Sequence, residues 1–255
     1  MENKIRFLGT GTSIGVPELG CSCEVCTSKD PRDKRLRCSA LVTYQGKRIL
    51  IDCGPDFHEQ MLKVPFEPLD AVLLTHEHYD HTFGIDDLRC FTRQAPLNLY
   101  AEQHLNDVLR IRLPHCFGHR YPGAPKLVLN DIEPGCRFVA GTSGIEVLPI
   151  RVFHGKMPIV GFRIGEMAYL TDVSHIEETE LEMLMGVKLL VVNALRIETH
   201  PTHFSLDEAL EVARRVGAPH TCLTHMAHSI GLHADVQKAL PEGVTLAYDE
   251  LEVVF

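Results

Sequence analysis

The sequence predicts an α/β protein folded as one domain over residues 1–255, and three observations carry that reading. Short apolar runs of strand length recur along the chain, and again and again one stops at, or just before, a histidine or an aspartate. That is where α/β sheets place their sites, at the carboxyl ends of strands. Between such runs lie helix signals: Ser205 with Glu208 forms a capping box, and the helix it opens runs to about Val216, stopped by Gly217. No Pro/Gly-rich linker, no repeat and no low-complexity segment divides the chain, and 255 residues at 45% hydrophobic suffice for a sizeable core.

Composition excludes several function classes. Twenty-five basic against 34 acidic residues leave a net charge of −9, and a broad nucleic-acid footprint needs a basic face. The expected partner is a small molecule, with no extended nucleic-acid surface. No run of about 18 apolar residues exists, and the N-terminus lacks a basic-then-apolar signal. No membrane association and a cytoplasmic location are therefore expected. In that setting the nine cysteines read as metal ligands and packing residues rather than a disulfide framework.

In chain order, Lys4–Leu8 is a first strand ending at Gly9-Thr10-Gly11, where two glycines permit a tight turn. No third glycine opens a helix at dinucleotide spacing, so a plain turn and a phosphate-contacting loop fit equally. Cys21, Cys23 and Cys26 then supply most of a tetrahedral zinc site. The fourth ligand must come from elsewhere, and His228, three residues after His225, is the candidate; a redox pair or plain packing is the alternative. Ala40–Tyr44 and Arg48–Asp52 form a hairpin, and Asp56 is placed to cap a helix over Phe57–Leu62. Asp52, at a strand end, is expected to orient a metal-bound histidine from behind. Cys38 and Cys53 are expected to pack. Glu102–Leu113 has helical spacing, and His115–Pro122 is an aromatic, His-bearing loop, read as a lid or as a surface connection. Ile145–Phe153 ends at His154; Gly161–Gly165 and Met167–Thr171 make a second hairpin ending at Asp172. Val187–Val192 is followed by Asn193, and His220–Leu223 leads to His225.

The chemistry concentrates in Thr75-His76-Glu77-His78-Tyr79-Asp80-His81, just past the strand Leu69–Leu74. Imidazole and carboxylate are ligands that Zn, Fe and Mn accept. His76 and His78, alternating along an extended loop, can face one metal while Glu77 points away; Asp80 and His81 can turn toward a second. His154, Asp172 and His225 supply what two metals still lack. One would take His76, His78 and His154, the other Asp80, His81 and His225, with Asp172 between them.

This order of ligands, His-x-His-x-Asp-His followed by His, Asp and His, resembles that of the metallo-β-lactamase superfamily over nearly the whole chain. The resemblance implies an αβ/βα four-layer sandwich: two mixed sheets, helices outside, and the metals at one edge between the sheets. Gly15-Val16-Pro17, the three cysteines, Cys38-Ser39, His154-x-Lys156 and Leu223-Thr224-His225-x-x-His228 are similar to the phosphodiesterases of the carbon–phosphorus lyase pathway. Those enzymes act on phosphoribosyl cyclic phosphate. They resemble the transfer-RNA 3′-end nucleases, add a three-cysteine zinc site, and carry a catalytic histidine before the late helix, matched here by His203.

The function so implied is hydrolysis of a small, cyclic phosphodiester by a hydrolase with two divalent metals, Mn or Zn with Fe or Ni also compatible, and one structural Zn. Paired cations acidify a shared water and clamp the oxygens of an in-line displacement. His203 would donate a proton, Asp80 would be catalytic as well as a ligand, and Lys156 would neutralise the phosphate. His200 and His175 are not expected to act. A thioesterase or lactonase of the same fold would keep every ligand. A transfer-RNA nuclease would need an arm, and no Gly/Pro-rich insertion here resembles one. A di-iron oxidoreductase of this fold would carry glutamate where His78 stands. A homodimer is compatible with all of this.

Overall fold

The computed structural model describes residues 2–117 and 123–255. The strands of the first half are β1 (Lys4–Gly9), β2 (Ser39–Tyr44), β3 (Lys47–Ile51), β4 (Ala71–Leu73), β5 (Leu97–Ala101) and β6 (Leu127–Asp131). Those of the second half are β7 (Phe138–Ala140), β8 (Ile145–His154), β9 (Met157–Ile164), β10 (Met167–Tyr169), β11 (Leu189–Asn193), β12 (His220–Thr224) and β13 (Val244–Leu246). A last strand, β14 (Glu252–Val254), returns to the edge of the first half beside β1. The two sheets run β14-β1-β2-β3-β4-β5-β6 and β13-β12-β11-β10-β9-β8-β7.

Both sheets are mixed in the same way. From β14 to β3, and from β7 to β10, neighbours are antiparallel; from β3 to β6, and from β10 to β13, they are parallel. β3 and β10 therefore hold corresponding places; Asp52 follows the first directly and Asp172 follows the second after Leu170 and Thr171. Strand periodicity builds the layers, because successive side chains point to opposite faces. Ile49 and Ile51 join the core shared with Phe162, Tyr169 and Val191 of the other sheet. Leu50, between them, joins Phe57, Leu105 and Leu109 of the covering helices. On the far side Ile150, Leu190 and Leu223 meet Ala209, Val212 and Val216 of the late helix. The result is the four-layer sandwich that the motif order implied.

The late helix is Leu206–Val216, with the capping box formed and Gly217 left-handed at φ 67°. The helices Phe57–Leu62 and Gln103–Arg112 fall where the spacing put them. Asp56 is a correction: it gives the first of these no side-chain cap. Its carboxylate instead takes the Arg37 backbone N–H at 2.8 Å and Nη1 at 2.9 Å, where a cationic guanidinium adds an ion pair that the helix N–H groups do not offer. β5, β6, β7, β13 and β14 went unread in the sequence, being three to five residues long. Such runs become strands only by pairing with a neighbour. Pro114–Phe117 is one helical turn, while the rest of the segment read as a lid, residues 118–122, lies outside the described residues. No helix among the described residues is long and apolar enough to cross a membrane.

Candidate metal centre and active site

The strand ends converge at one edge between the sheets. β4 delivers Thr75–His81, β8 delivers His154, β10 delivers Asp172, and the turn after β12 carries His225. Asp52, Asp172 and His225 are left-handed, with φ of 60°, 60° and 57°. A non-glycine residue there costs on the order of 1–3 kcal/mol and persists only when its surroundings over-determine it. Two glycines let the metal loop close on the Asp52 turn. A Cβ at Gly54 would stand 1.9 Å from the Asp80 carbonyl, and one at Gly84 would stand 2.1 Å from the Gly54 carbonyl.

Asp52 stands behind the cluster, as its strand-end position suggested. Its Oδ2 takes His81 Nδ1 at 2.7 Å and its Oδ1 takes the Thr75 N–H at 2.9 Å. His81 Nδ1 so engaged leaves Nε2 turned inward, 3.1 Å from Oδ2 of both Asp80 and Asp172. His225 Nε2 lies 3.1 Å from Asp172 Oδ1 and 3.5 Å from Asp80 Oδ2. Donor atoms of Asp80, His81, Asp172 and His225 all fall within 4.8 Å of one another. His154 donates Nδ1–H to the Asp172 carbonyl at 2.9 Å, so its Nε2 is the free nitrogen. Its ring centre is 5.1 Å from that of His78 and 5.8 Å from that of His76, which are 4.6 Å from each other. His203 completes the corner: its Nδ1 is 3.7 Å from Asp172 Oδ1, and its ring lies 4.6 Å from His154 and 5.0 Å from His225. His154, Asp172 and His203 also fall within mutual ligand range.

The electrostatics of this cluster call for a cation. Burial pulls His76 and His78 below the ordinary imidazole range. Burial should push Asp80 and Asp172 up, yet His81 and His225 hold both below the usual carboxylate range. His81 goes the other way: against burial, Asp80, Asp172 and Asp52 drive it well above 6.5. Three buried carboxylates thus converge on His81, two of them also facing His225, whereas buried charges are normally paired or bound to metal. Among the described residues, Nε2 of His76 and of His81 are buried without a hydrogen-bond partner. Nitrogen and carboxylate donors of this kind suit divalent Zn, Mn or Fe. The residues fit the metals.

A second donor set lies beyond His225. Sγ of Cys21, Cys23 and Cys26 stand 3.4, 3.2 and 3.4 Å from Nδ1 of His228. Those spacings approach the ~3.6 Å edge of a tetrahedron with Zn–S near 2.3 Å and Zn–N near 2.0 Å. The Cys26 backbone N–H and His228 lower the Cys23 thiol to about 6, while burial raises that of Cys26 to about 11. No disulfide forms among the three. Glu18 Oε2 lies 3.1 Å from His228 Nε2, the kind of outer contact that orients a ligand.

Other anticipated residues separate clearly. Lys156 is exposed and makes no ion pair among the described residues. His175 is a loop residue paired with Glu177 at 3.1 Å. His200 receives the Thr202 N–H on its Nδ1 at 3.3 Å, with its ring 5.2 Å from that of His203. Cys38 packs, fully buried, and also contacts Tyr169 Oη at 3.2 Å and Thr224 Oγ1 at 3.4 Å behind the site. Sequence reasoning missed Glu18 and Thr171, whose hydroxyl donates to Asp172 Oδ2 at 2.7 Å. It also missed Arg112, whose Nη1 donates to the Glu77 carbonyl at 2.5 Å. For Thr171, adjacency to Asp172 was a signal; Glu18 and Arg112 lie too far along the chain to leave one.

Residues 47–226 match the family described as a β-lactamase superfamily domain. An octanoyltransferase of Porphyromonas gingivalis is 45% identical over 251 residues, which are 97% of this chain and 51% of that protein. A ribonuclease Z of Bradyrhizobium diazoefficiens is 38% identical over 150 residues, 58% of this chain and 37% of that protein. The chain spans about half the length of the first of these relatives and less of the second. The crystal structure of a diphosphatase from the PhnP family is 38% identical with a TM-score of 0.92, covering 100% of this chain and 98% of that one. Fold, ligand order and these likenesses agree, and the chain belongs to the metallo-β-lactamase superfamily and, within it, to the PhnP family of metal-dependent hydrolases.

Proposed function

We propose that this protein hydrolyses a small phosphodiester, a cyclic one among them, using two divalent metals, Mn or Zn, with Fe or Ni able to substitute. One observation carries the reading: buried Asp52, Asp80 and Asp172 converge on His81 while His76, His78, His154 and His225 close around them. His76, His78 and His154 would hold one metal, Asp80, His81 and His225 the other, and Asp172 would bridge. Bound there, the metals supply Lewis acidity, making a water acidic near neutral pH and drawing charge from the phosphate oxygens. The chain's own groups do the rest. Asp80, held anionic by His81 and His225, would accept a proton from water. His203, kept neutral because burial pulls it to about 3, offers an N–H to a non-bridging oxygen or to the leaving oxygen. Such a group contributes ~10²–10⁴-fold. Lys156, exposed on the turn after His154, is free to meet the substrate's charge. The Cys21, Cys23, Cys26 and His228 set would hold a structural zinc.

A diphosphate diester offers the same kind of non-bridging oxygens with one more negative charge, and the structural relative is a diphosphatase. The Porphyromonas gingivalis relative is an octanoyltransferase, which keeps an acyl thioester in view as the second reading. A panel with added Mn or Zn separates them: an aryl phosphodiester, the matching monoester, a diphosphate diester, an octanoyl thioester and a β-lactam. Diester hydrolysis faster than monoester hydrolysis is expected. Preference for the thioester or the lactam would sink the reading.

A further inference from the structure

Asp172 sits at a turn that does not by itself aim its side chain. Its backbone is left-handed at φ 60°, and the terminal torsion of an aspartate is broad. Its carboxylate nevertheless faces two ways. Oδ2 is 3.1 Å from His81 Nε2, while Oδ1 is 3.1 Å from His225 Nε2 and 3.7 Å from His203 Nδ1. The bridging place proposed for it needs that plane held. Thr171, the residue before it, donates its hydroxyl proton to Oδ2 at 2.7 Å.

Behind Thr171 the interior is polar where packing alone would make it apolar. Cys38, just before β2 in the first sheet, meets Tyr169, Thr171 and Thr224 from the ends of β10 and β12 in the second, and all four are fully buried. A buried hydroxyl costs free energy unless it is bonded, and phenylalanine at 169 or valine at 171 would avoid that cost. Instead the groups form a chain. Thr171 has one hydroxyl proton and an ionised carboxylate only accepts, so that proton is committed to Asp172. Cys38 Sγ, 3.7 Å from Thr171 Oγ1, is then the donor in that contact, and burial pushes its thiol up to about 11, which keeps the S–H. Tyr169 Oη, 3.2 Å from the same sulfur, donates to it and has no other hydrogen-bond partner among the described residues. Thr224 Oγ1 lies 3.4 Å from that sulfur. The donors run toward Asp172.

We propose that Thr171 is a positioning residue of the metal centre: its hydroxyl, backed by the Cys38 thiol, holds the Asp172 carboxylate in the plane that lets one oxygen face each metal. The inference rests on the two-metal reading above and adds a residue to it. Thr171 touches no substrate and acts through Asp172. Without its hydroxyl the carboxylate is free to turn about its last torsion, and both metals lose a fixed donor. Contacts of this kind behind a metal ligand are worth ~10–100-fold in metal affinity or activity.

The test sets Thr171→Val, which keeps the shape and removes the hydroxyl, against Thr171→Ser, which keeps the hydroxyl. Competition with a chelator of known affinity gives the strength of active-site metal binding. The visible absorption of protein fully loaded with Co(II) gives the geometry around the metal. Thr171→Val should bind active-site metal ~10–100-fold more weakly and show an altered cobalt spectrum, and Thr171→Ser should return both toward the wild type. Cys38→Ala should weaken binding in the same direction by less. Melting of the metal-free proteins reports folding, and Thr171→Ala, with the same expected loss, serves if Thr171→Val does not fold. A lower melting temperature with wild-type metal affinity and an unchanged cobalt spectrum would make the hydroxyl a packing feature and overturn the positioning role, leaving the two-metal centre intact. Wild-type values in Cys38→Ala would overturn the part of the thiol. A wild type that takes up no metal beyond the cysteine zinc overturns the two-metal centre itself, and the role of Thr171 with it.

Discussion

Replacing Asp52 with asparagine changes one oxygen behind the metal centre. The side chain keeps its shape, and asparagine tolerates the left-handed φ of 60° that Asp52 adopts, so backbone strain stays constant. An amide oxygen can still accept the Thr75 N–H that Oδ1 takes at 2.9 Å. What changes is Oδ2, which takes His81 Nδ1 at 2.7 Å and the Thr75 hydroxyl at 2.9 Å: as an NH₂ group it can donate to that hydroxyl but faces a ring N–H. Either the ring turns away or its proton moves to Nε2, the nitrogen aimed between Asp80 and Asp172. Hydrogen bonds to charged groups contribute ~1.5–3 kcal/mol, equivalent to roughly 10–100-fold in affinity at ~1.4 kcal/mol per decade. Loss of outer-contact partners of metal-bound histidines costs a similar factor. The assay is competition with a chelator of known affinity, paired with melting in the presence and absence of metal. One active-site metal should bind ~10–100-fold more weakly, and the metal-dependent rise in melting temperature should shrink. Wild-type metal affinity in Asp52→Asn would show that His81 is not oriented from behind.

Three further predictions are narrower. His203→Ala should lower turnover by roughly 10²-fold with metal content intact; loss of metal together with activity would make His203 a ligand instead. Cys23→Ser should remove one chelation-resistant metal and lower melting, and it should loosen the active-site metals through the backbone that joins His228 to His225; unchanged metal count and melting would leave the cysteines ordinary thiols. His233 is buried, with Nδ1 3.5 Å from Arg35 Nη2, and burial, then Arg35 and Arg32, lower it to about 4. The folded state resists its protonation, so its contribution is fully present above pH 6.5 and is lost as pH falls toward about 4. Melting of the wild type between pH 7 and 5 should therefore fall further than that of His233→Gln, and parallel curves would refute the assignment.

The identities and order of the candidate ligands were determined by the sequence, because ligand chemistry is a property of residue type and strand ends announce themselves locally. His76, His78, Asp80 and His81 lie within a single turn-length of chain, and apolar runs deliver His154, Asp172 and His225. The capping box at Ser205 and the stop at Gly217 are likewise local, and both formed. Which side chains meet is another matter. Asp52 reaches His81 because β3 and β4 are parallel neighbours. His228 comes within 3.4 Å of Cys21, 207 residues away, because Thr12 and Met226 join their backbones at the end of β12. Five short strands exist only through pairing, and Asp56 left its helix for Arg37, a partner 19 residues off.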